Sequence, residues 1–177
     1  MRYLGYPEKQ QGVTLVELVI SIVILSIAMV SMMTFFSTSM SRSADPLWHN
    51  KTLKLGQLYL DEILAKKYDE LTPMGGLPFV VTPDCAGLGP DSLGAGTETR
   101  ASFDDVDDYH GISNSAPVSL TGAGLDSSYD DYRISITVAC DGSDVGASGN
   151  AHAKIITVQV TAPNQKTVTF AAYKGNF

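Results

Sequence analysis

Gln10-Gln11-Gly12-Val13-Thr14-Leu15-Val16-Glu17-Leu18 opens an apolar run that continues to Phe36. The 24 residues from Val13 to Phe36 make about 36 Å of α-helix, against a hydrocarbon core of roughly 30 Å. The run is long enough to span a bilayer, and it carries one acid, Glu17, near its start. A carboxylate within a spanning helix costs roughly 2.5–3.5 kcal/mol even on lenient insertion scales, so Glu17 requires a partner. At about 100° per residue, Thr14, Glu17, Ser21 and Ala28 share one side of the helix. Such a stripe lets helices approach closely in lipid; equally, hydroxyls are tolerated anywhere in a spanning helix because they bond back to its own backbone.

Residues 1 to 12 form a polar leader. Arg2 and Lys9 precede the run and Arg42, Lys51 and Lys54 follow it, so basic residues alone do not fix an orientation. The region Thr38-Ser39-Met40-Ser41 lacks the small-residue pattern of conventional signal cleavage, and the run is longer than an ordinary signal core. At 177 residues, the chain has room for one modest domain beyond the apolar stretch. Its net charge is −7 and its pI about 4.7. The 12 Lys and Arg are scattered, which leaves no electrostatic footprint for nucleic acid. Mean hydropathy of +0.06 draws heavily on residues 13 to 36. Cys85 and Cys140 match no metal or redox spacing; a distant pair in an exported domain is commonly a disulfide, with two free thiols as the alternative. This places the domain outside the cytoplasm.

Ser37 to Ala44 reads as a polar passage, after which Asp45 as N-cap and Pro46 at the first helical position predict a helix restart. Leu53, Leu60, Leu64, Tyr68 and Leu71 keep a helical period across residues 47–71, with Gly56 a weak point if exposed. Pro73, Gly75, Gly76 and Pro78 stop that helix. From there to Leu125 the chain is punctuated by Gly and Pro, with Phe79 to Thr82 and Arg100 to Phe103 as short strands at most. The last third alternates clearly. Ile134, Ile136 and Val138, then Ile156, Val158 and Val160, then Val168, Phe170 and Ala172 predict a three-stranded antiparallel meander.

Asp104, Asp105, Asp107 and Asp108 are the densest chemical cluster. They offer oxygens of the kind calcium prefers, yet the spacing fails the EF-hand loop. A solvated acidic loop, or a turn whose carboxylates cap backbone N–H groups, accounts for them equally. His49, His110 and His152 stand in no ligand spacing. No nucleophile-elbow or phosphate-loop motif occurs, and Gly87, Gly89, Gly94 and Gly96 have no strand leading in and no helix following. Trp48 reads as a packing or membrane-interface residue. No cofactor and no catalysis are expected.

Gly12-Val13-Thr14-Leu15-Val16-Glu17, with the apolar helix after it, resembles the class III leader of type IV prepilins and type II secretion pseudopilins. The resemblance implies a cut by a prepilin peptidase between Gly12 and Val13, methylation of Val13, and Glu17 as the fifth mature residue, neutralising the terminal amine of an adjacent subunit. It implies an α+β pilin fold: a long hydrophobic helix continuing into an amphipathic helix packed on an antiparallel sheet. Two positions depart from the usual major pilin: Val13 in place of Phe or Met, and Thr34 where a proline is common. The stretches Tyr59–Lys66, Phe103–Gly111, Tyr132–Val138 and Ala172–Lys174 resemble the minor pilins of the mannose-sensitive haemagglutinin pilus, a surface fibre. The implied organisation is a leader at 1–12, a transmembrane or fibre-core helix at 13–36, its continuation at 37–72 and an extracytoplasmic β domain at 73–177. Implied partners are other pilin subunits, the peptidase and N-methyltransferase, the inner-membrane assembly platform and the membrane, with no nucleic acid. The chain would sit in the inner membrane with its leader cytoplasmic and its domain periplasmic, then pass to a fibre at the cell surface. A secretion pseudopilin, or a membrane-anchored extracytoplasmic binding domain, is the alternative.

Overall fold

Helix α1 (Leu15–Leu64) begins where Thr14 Oγ1 accepts the Glu17 N–H at 3.3 Å. This is the Thr-x-x-Glu arrangement that caps helix N-termini. In chain order there follow two short strands, β1 (Ser92–Leu93) and β2 (Gly96–Thr97), then β3 (Arg133–Cys140), β4 (Ala153–Thr161) and β5 (Thr167–Gly175), with single 3-10 turns at Asp107–Tyr109, Ser127–Tyr129 and Asn150–His152. The structure, a computed structural model, describes residues 12–73, 79–83, 85–93 and 96–176, and only the backbone at 41–44 and 93. The leader before Gly12 and the stop signals Gly75, Gly76 and Pro78 lie outside the described residues. Two compact units divide between Ala44 and Asp45, and α1 contributes to both.

The expected restart at Asp45-Pro46 is not formed. Pro46 lies inside α1, where it removes one helical hydrogen bond. Asp45, instead of capping, accepts from Asn164 Nδ2 at 3.0 Å and Lys166 Nζ at 2.7 Å in the β4–β5 turn. The helix also stops earlier than its apolar period predicts, at Leu64 rather than Leu71. Its end tightens, with Lys66 N–H donating to Ile63 O at 3.1 Å, and Lys174 Nζ takes the carbonyls of Leu64 and Lys66 at 2.7 and 2.9 Å. A lysine from the last strand thus satisfies acceptors that a helix terminus leaves open.

Strands β3, β4 and β5 form an antiparallel sheet in that order, as the alternation predicts. Register pairs Ile136 with Val158 and Val158 with Phe170, so even-numbered side chains share the inner face. Ile134, Ile136, Val138, Ile156, Val158 and Val160 are buried there against Leu55, Tyr59 and Ile63 of α1. The helical stripe is therefore shifted from the predicted one. Leu60 and Leu64 only flank the core, and Leu71 is 75% exposed. Trp48 packs against the same core. The layout is α+β: one long N-terminal helix packed, beyond its apolar part, on a three-stranded antiparallel sheet, consistent with a type IV pilin fold.

The middle of the chain is held by side chains rather than strands. Phe79–Thr82 and Arg100–Phe103 are not strands, and the small pairing that does occur is β1 with β2. Tyr59 OH donates to Val118 O at 3.0 Å and accepts from Val118 N–H at 2.8 Å. Ser115 bridges Ile134 on the outer side of β3. Cys85 is bonded to Cys140 at the end of β3, with Cα atoms 6.1 Å apart.

Gly56 is no exposed weak point. A Cβ there would lie 2.6 Å from Phe170 Cζ and closer still to two other ring atoms, so the absent side chain lets β5 approach the helix. Alanine in a helix normally gains about 1 kcal/mol over glycine, but overpacking a core costs about 1–3 kcal/mol, and here overpacking wins. Gly56→Ala should lower the thermal midpoint by several degrees in circular dichroism of the detergent-solubilised chain, and Phe170→Leu combined with it should recover part of the loss. An unchanged midpoint for Gly56→Ala would show that the ring yields freely.

Candidate processing and assembly site

Gly12 and Val13 precede the first helical turn, and a side chain built at Gly12 would meet nothing within 4 Å. From Val13 to Phe36 every described residue is exposed, including Val13, Leu15 and Phe35 at 70% or more. A helix apolar on all sides needs an apolar surrounding, and by length and composition this one can cross a membrane.

The hydroxyls in the run place no demand on that surrounding. Ser21, Ser26, Ser31, Thr34 and Thr38 each donate to a carbonyl three or four residues back, at 2.7–2.9 Å. Ser21 bonds the Glu17 carbonyl itself. Of the predicted polar stripe, the hydroxyls are satisfied locally, whereas Glu17 is the one ionisable group between Val13 and Phe36. In an apolar setting a carboxylate must be paired or neutralised. The chemistry available to this end of the chain is therefore recognition: a glycine ahead of the helix, and one acid five residues beyond it.

The second predicted cluster lies in the other unit, and it is not a solvated loop. Asp105 and Asp108 are 3% and 1% exposed. Asp105 Oδ1 accepts the N–H groups of Asp107 and Asp108 at 2.7 and 3.3 Å, while Asp108 Oδ2 accepts those of Asp104 and Asp105 at 2.8 and 3.2 Å. The segment caps itself. Asp104 pairs with Lys67 at 2.6 Å and Asp107 with Lys154 at 2.6 Å. Glu98, Asp104 and Asp108 bring oxygens within 4.8 Å of one another, while Asp104 Oδ2 already serves Lys67 and Asp108 Oδ2 serves backbone N–H groups. The geometry gives this cluster a structural role. Among the histidines, His110 Nδ1 accepts the Val138 N–H at 3.1 Å and His152 Nδ1 lies 3.4 Å from Asn176 Nδ2, while His49 is exposed.

Three groups that the sequence did not single out complete the network. Glu62 on α1 pairs with Arg100 and accepts from Tyr109 OH. Arg100 also lies over the Tyr109 ring at 4.7 Å and the Tyr59 ring at 5.5 Å, which compensates guanidinium nitrogens that have no hydrogen-bond partner. Lys154 is fully buried. Its signal was present in the alternation, since an even-numbered position in β4 faces the core.

Burial, with Asp107 and Asp108 nearby, pushes the Asp105 carboxyl up to about 7. Desolvation, with Asp108 beside it, pushes Glu98 up to about 7 as well. Unfolded carboxyls titrate near 4, so between about pH 4 and 7 the folded chain holds more protons than the unfolded one, and stability falls as pH rises. The thermal midpoint should therefore be higher at pH 5 than at pH 8, and Asp105→Asn should flatten the slope. A midpoint rising from pH 5 to 8 would contradict this account of the cluster.

Residues 8–33 match the prokaryotic N-terminal methylation motif. No curated protein and no solved structure matches the chain. The motif points to a structural subunit rather than an enzyme, and to processing by a peptidase and assembly with other pilins. Together with the exposed apolar helix, it supports a membrane-anchored, type IV prepilin-like protein, of pilin or pseudopilin kind.

Proposed function

We propose that this chain is a minor subunit of a type IV pilus of the mannose-sensitive haemagglutinin type, resembling its D-type minor pilin, and that it acts in pilus assembly and surface attachment. The leader, residues 1–12, is removed on the cytoplasmic side by cutting between Gly12 and Val13, and Val13 is methylated. Residues 13–36 hold the subunit in the inner membrane with the rest in the periplasm, and later enter the fibre core. Residues 37–72 continue towards the domain at 73–177, which the Cys85–Cys140 bond ties at one end.

The observation that carries this reading is the isolation of Glu17. The nearby hydroxyls of Ser21, Ser26 and Ser31 are bonded to their own backbone, so among the described residues they do not partner the acid, which fits a partner on a second subunit. In the bilayer the carboxylate is costly. Beside the terminal amine of a second subunit it is paired, and extraction of the helix from lipid into a bundle becomes favourable at one register. The departure at Val13 favours a minor over a major subunit, and Thr34 removes one cause of local helix melting in the fibre. A secretion pseudopilin carries the same leader chemistry; deletion separates the two, with loss of surface pili in one case and loss of secreted enzymes in the other.

Glu17→Val should leave the protein cleaved and membrane-bound but reduce its recovery in sheared pili at least tenfold. A tenfold change corresponds to about 1.4 kcal/mol, less than the cost of an unpaired charge in lipid. Recovery equal to wild type would remove Glu17 from assembly.

A further inference from the structure

Lys154 is the one fully buried basic side chain among the described residues. The register of β4 forces it inward, on the face of Ile156, Val158 and Val160. Its Nζ lies 2.6 Å from Asp107 Oδ1 and 2.8 Å from Oδ2, which sets it against the carboxyl carbon. A second carboxylate, Asp69, stands 3.6 Å from the same nitrogen. Nζ also donates to Tyr68 O at 2.9 Å, and the Tyr68 ring lies over it at 4.4 Å. Asp69 is itself held by the Leu71 N–H at 3.2 Å. A lysine nitrogen, an acyl carbon and a proton acceptor are thus fixed together, the nitrogen fully buried and the Asp69 and Asp107 side chains 12% and 14% exposed.

We propose that Lys154 and Asp107 condense into an intramolecular isopeptide bond, with Asp69 taking the ammonium proton. The inference stands apart from the pilus reading, because it uses only the contacts of this buried triad.

Two carboxylates face one buried ammonium, so the triad carries one negative charge too many, and the imbalance favours an added proton. Burial pushes the Asp107 carboxyl up against the opposing pull of Lys154, and Asp69 and Asp108 add to the upward effect. The reactive arrangement is a neutral Asp107 acid, an ionised Asp69 and the Lys154 ammonium. Lys154 passes one proton to Asp69 and becomes an amine, still bonded to Tyr68 O. Its lone pair attacks Asp107 Cγ to form the C–N bond. The Asp107 hydroxyl then leaves as water, carrying off a second nitrogen proton relayed through Asp69. The products are one amide, one water and a protonated Asp69, which balances the four protons of the starting groups without any co-reactant. Fixed geometry supplies the effective concentration that amide formation in water lacks, and the product removes an ion pair whose burial is costly. The bond would join the start of β4 to the turn at Asp107–Tyr109, a second covalent tie beside Cys85–Cys140.

Mass spectrometry of the purified, reduced full-length chain after trypsin decides the matter. Trypsin needs a free lysine, so the linked protein should resist cleavage after Lys154. It should yield residues 101–133 joined to residues 134–166, one water lighter than the two peptides together, with fragments locating the branch at Lys154 and Asp107. Lys154→Arg and Asp107→Ala should abolish the branched peptide, and Asp69→Asn should reduce it at least tenfold. Wild-type protein that cleaves after Lys154 and releases an unbranched 101–133 peptide overturns the proposal, whether or not any variant folds. Undiminished linkage in Asp69→Asn also overturns it as stated.

Discussion

One helix meets two surroundings, and most of the chain follows from that constraint. Up to Phe36, α1 is apolar on every side, and its described residues are exposed. From Asp45 it is apolar on one side only, and that side is covered by the sheet through Leu55, Tyr59 and Ile63. The first part must be covered by lipid or by other helices. Glu17 makes the choice between those covers matter: lipid offers a carboxylate nothing, whereas a neighbouring helix that begins with a free amine offers a counter-charge. Backbone-bonded hydroxyls along the run leave this acid as the one group whose energy changes sharply between the two.

The domain solves a different problem. Its sheet has three long strands, and the described residues between α1 and β3 have little regular structure to pair their backbone groups. Carboxylates and hydroxyls take over that work. Asp105 and Asp108 satisfy four N–H groups between them, Tyr59 satisfies both backbone groups of Val118, and Lys174 closes the end of the helix. This use of charge inside the domain has a consequence for its pH response, since acids held above their ordinary range favour the folded state most in mildly acidic conditions.

Residues with strict periodicity were legible in the sequence. The β3–β5 meander could be read because alternation of Ile and Val with polar residues has one structural meaning when a single face is buried, and the N-terminal run could be read because length and hydropathy suffice. The helix boundaries were less legible. Asp45-Pro46 carries the local signature of a start, yet the helix passes through it, and the Asp45 carboxylate is drawn off by Lys166, 121 residues away. Leu71 keeps the helical period but lies past the end that Lys174 sets. Long-range partners decide such positions, and no window of sequence contains them. The acidic cluster showed the same limit: composition alone left solvation, capping and calcium open, and the capping became visible only with the placement of the backbone N–H groups. Lys154 was readable, as a charged residue at core parity, but only after the strand register was known.

The account rests on Gly12 marking a cut and Val13 a new, charged end. The mature N-terminus, read by mass spectrometry on protein recovered from its native membrane, tests this most directly. An N-methylated Val13 is the predicted result. An intact Met1, or a chain beginning near Ser41, would contradict it, because Glu17 would then have no neighbouring terminal amine to meet.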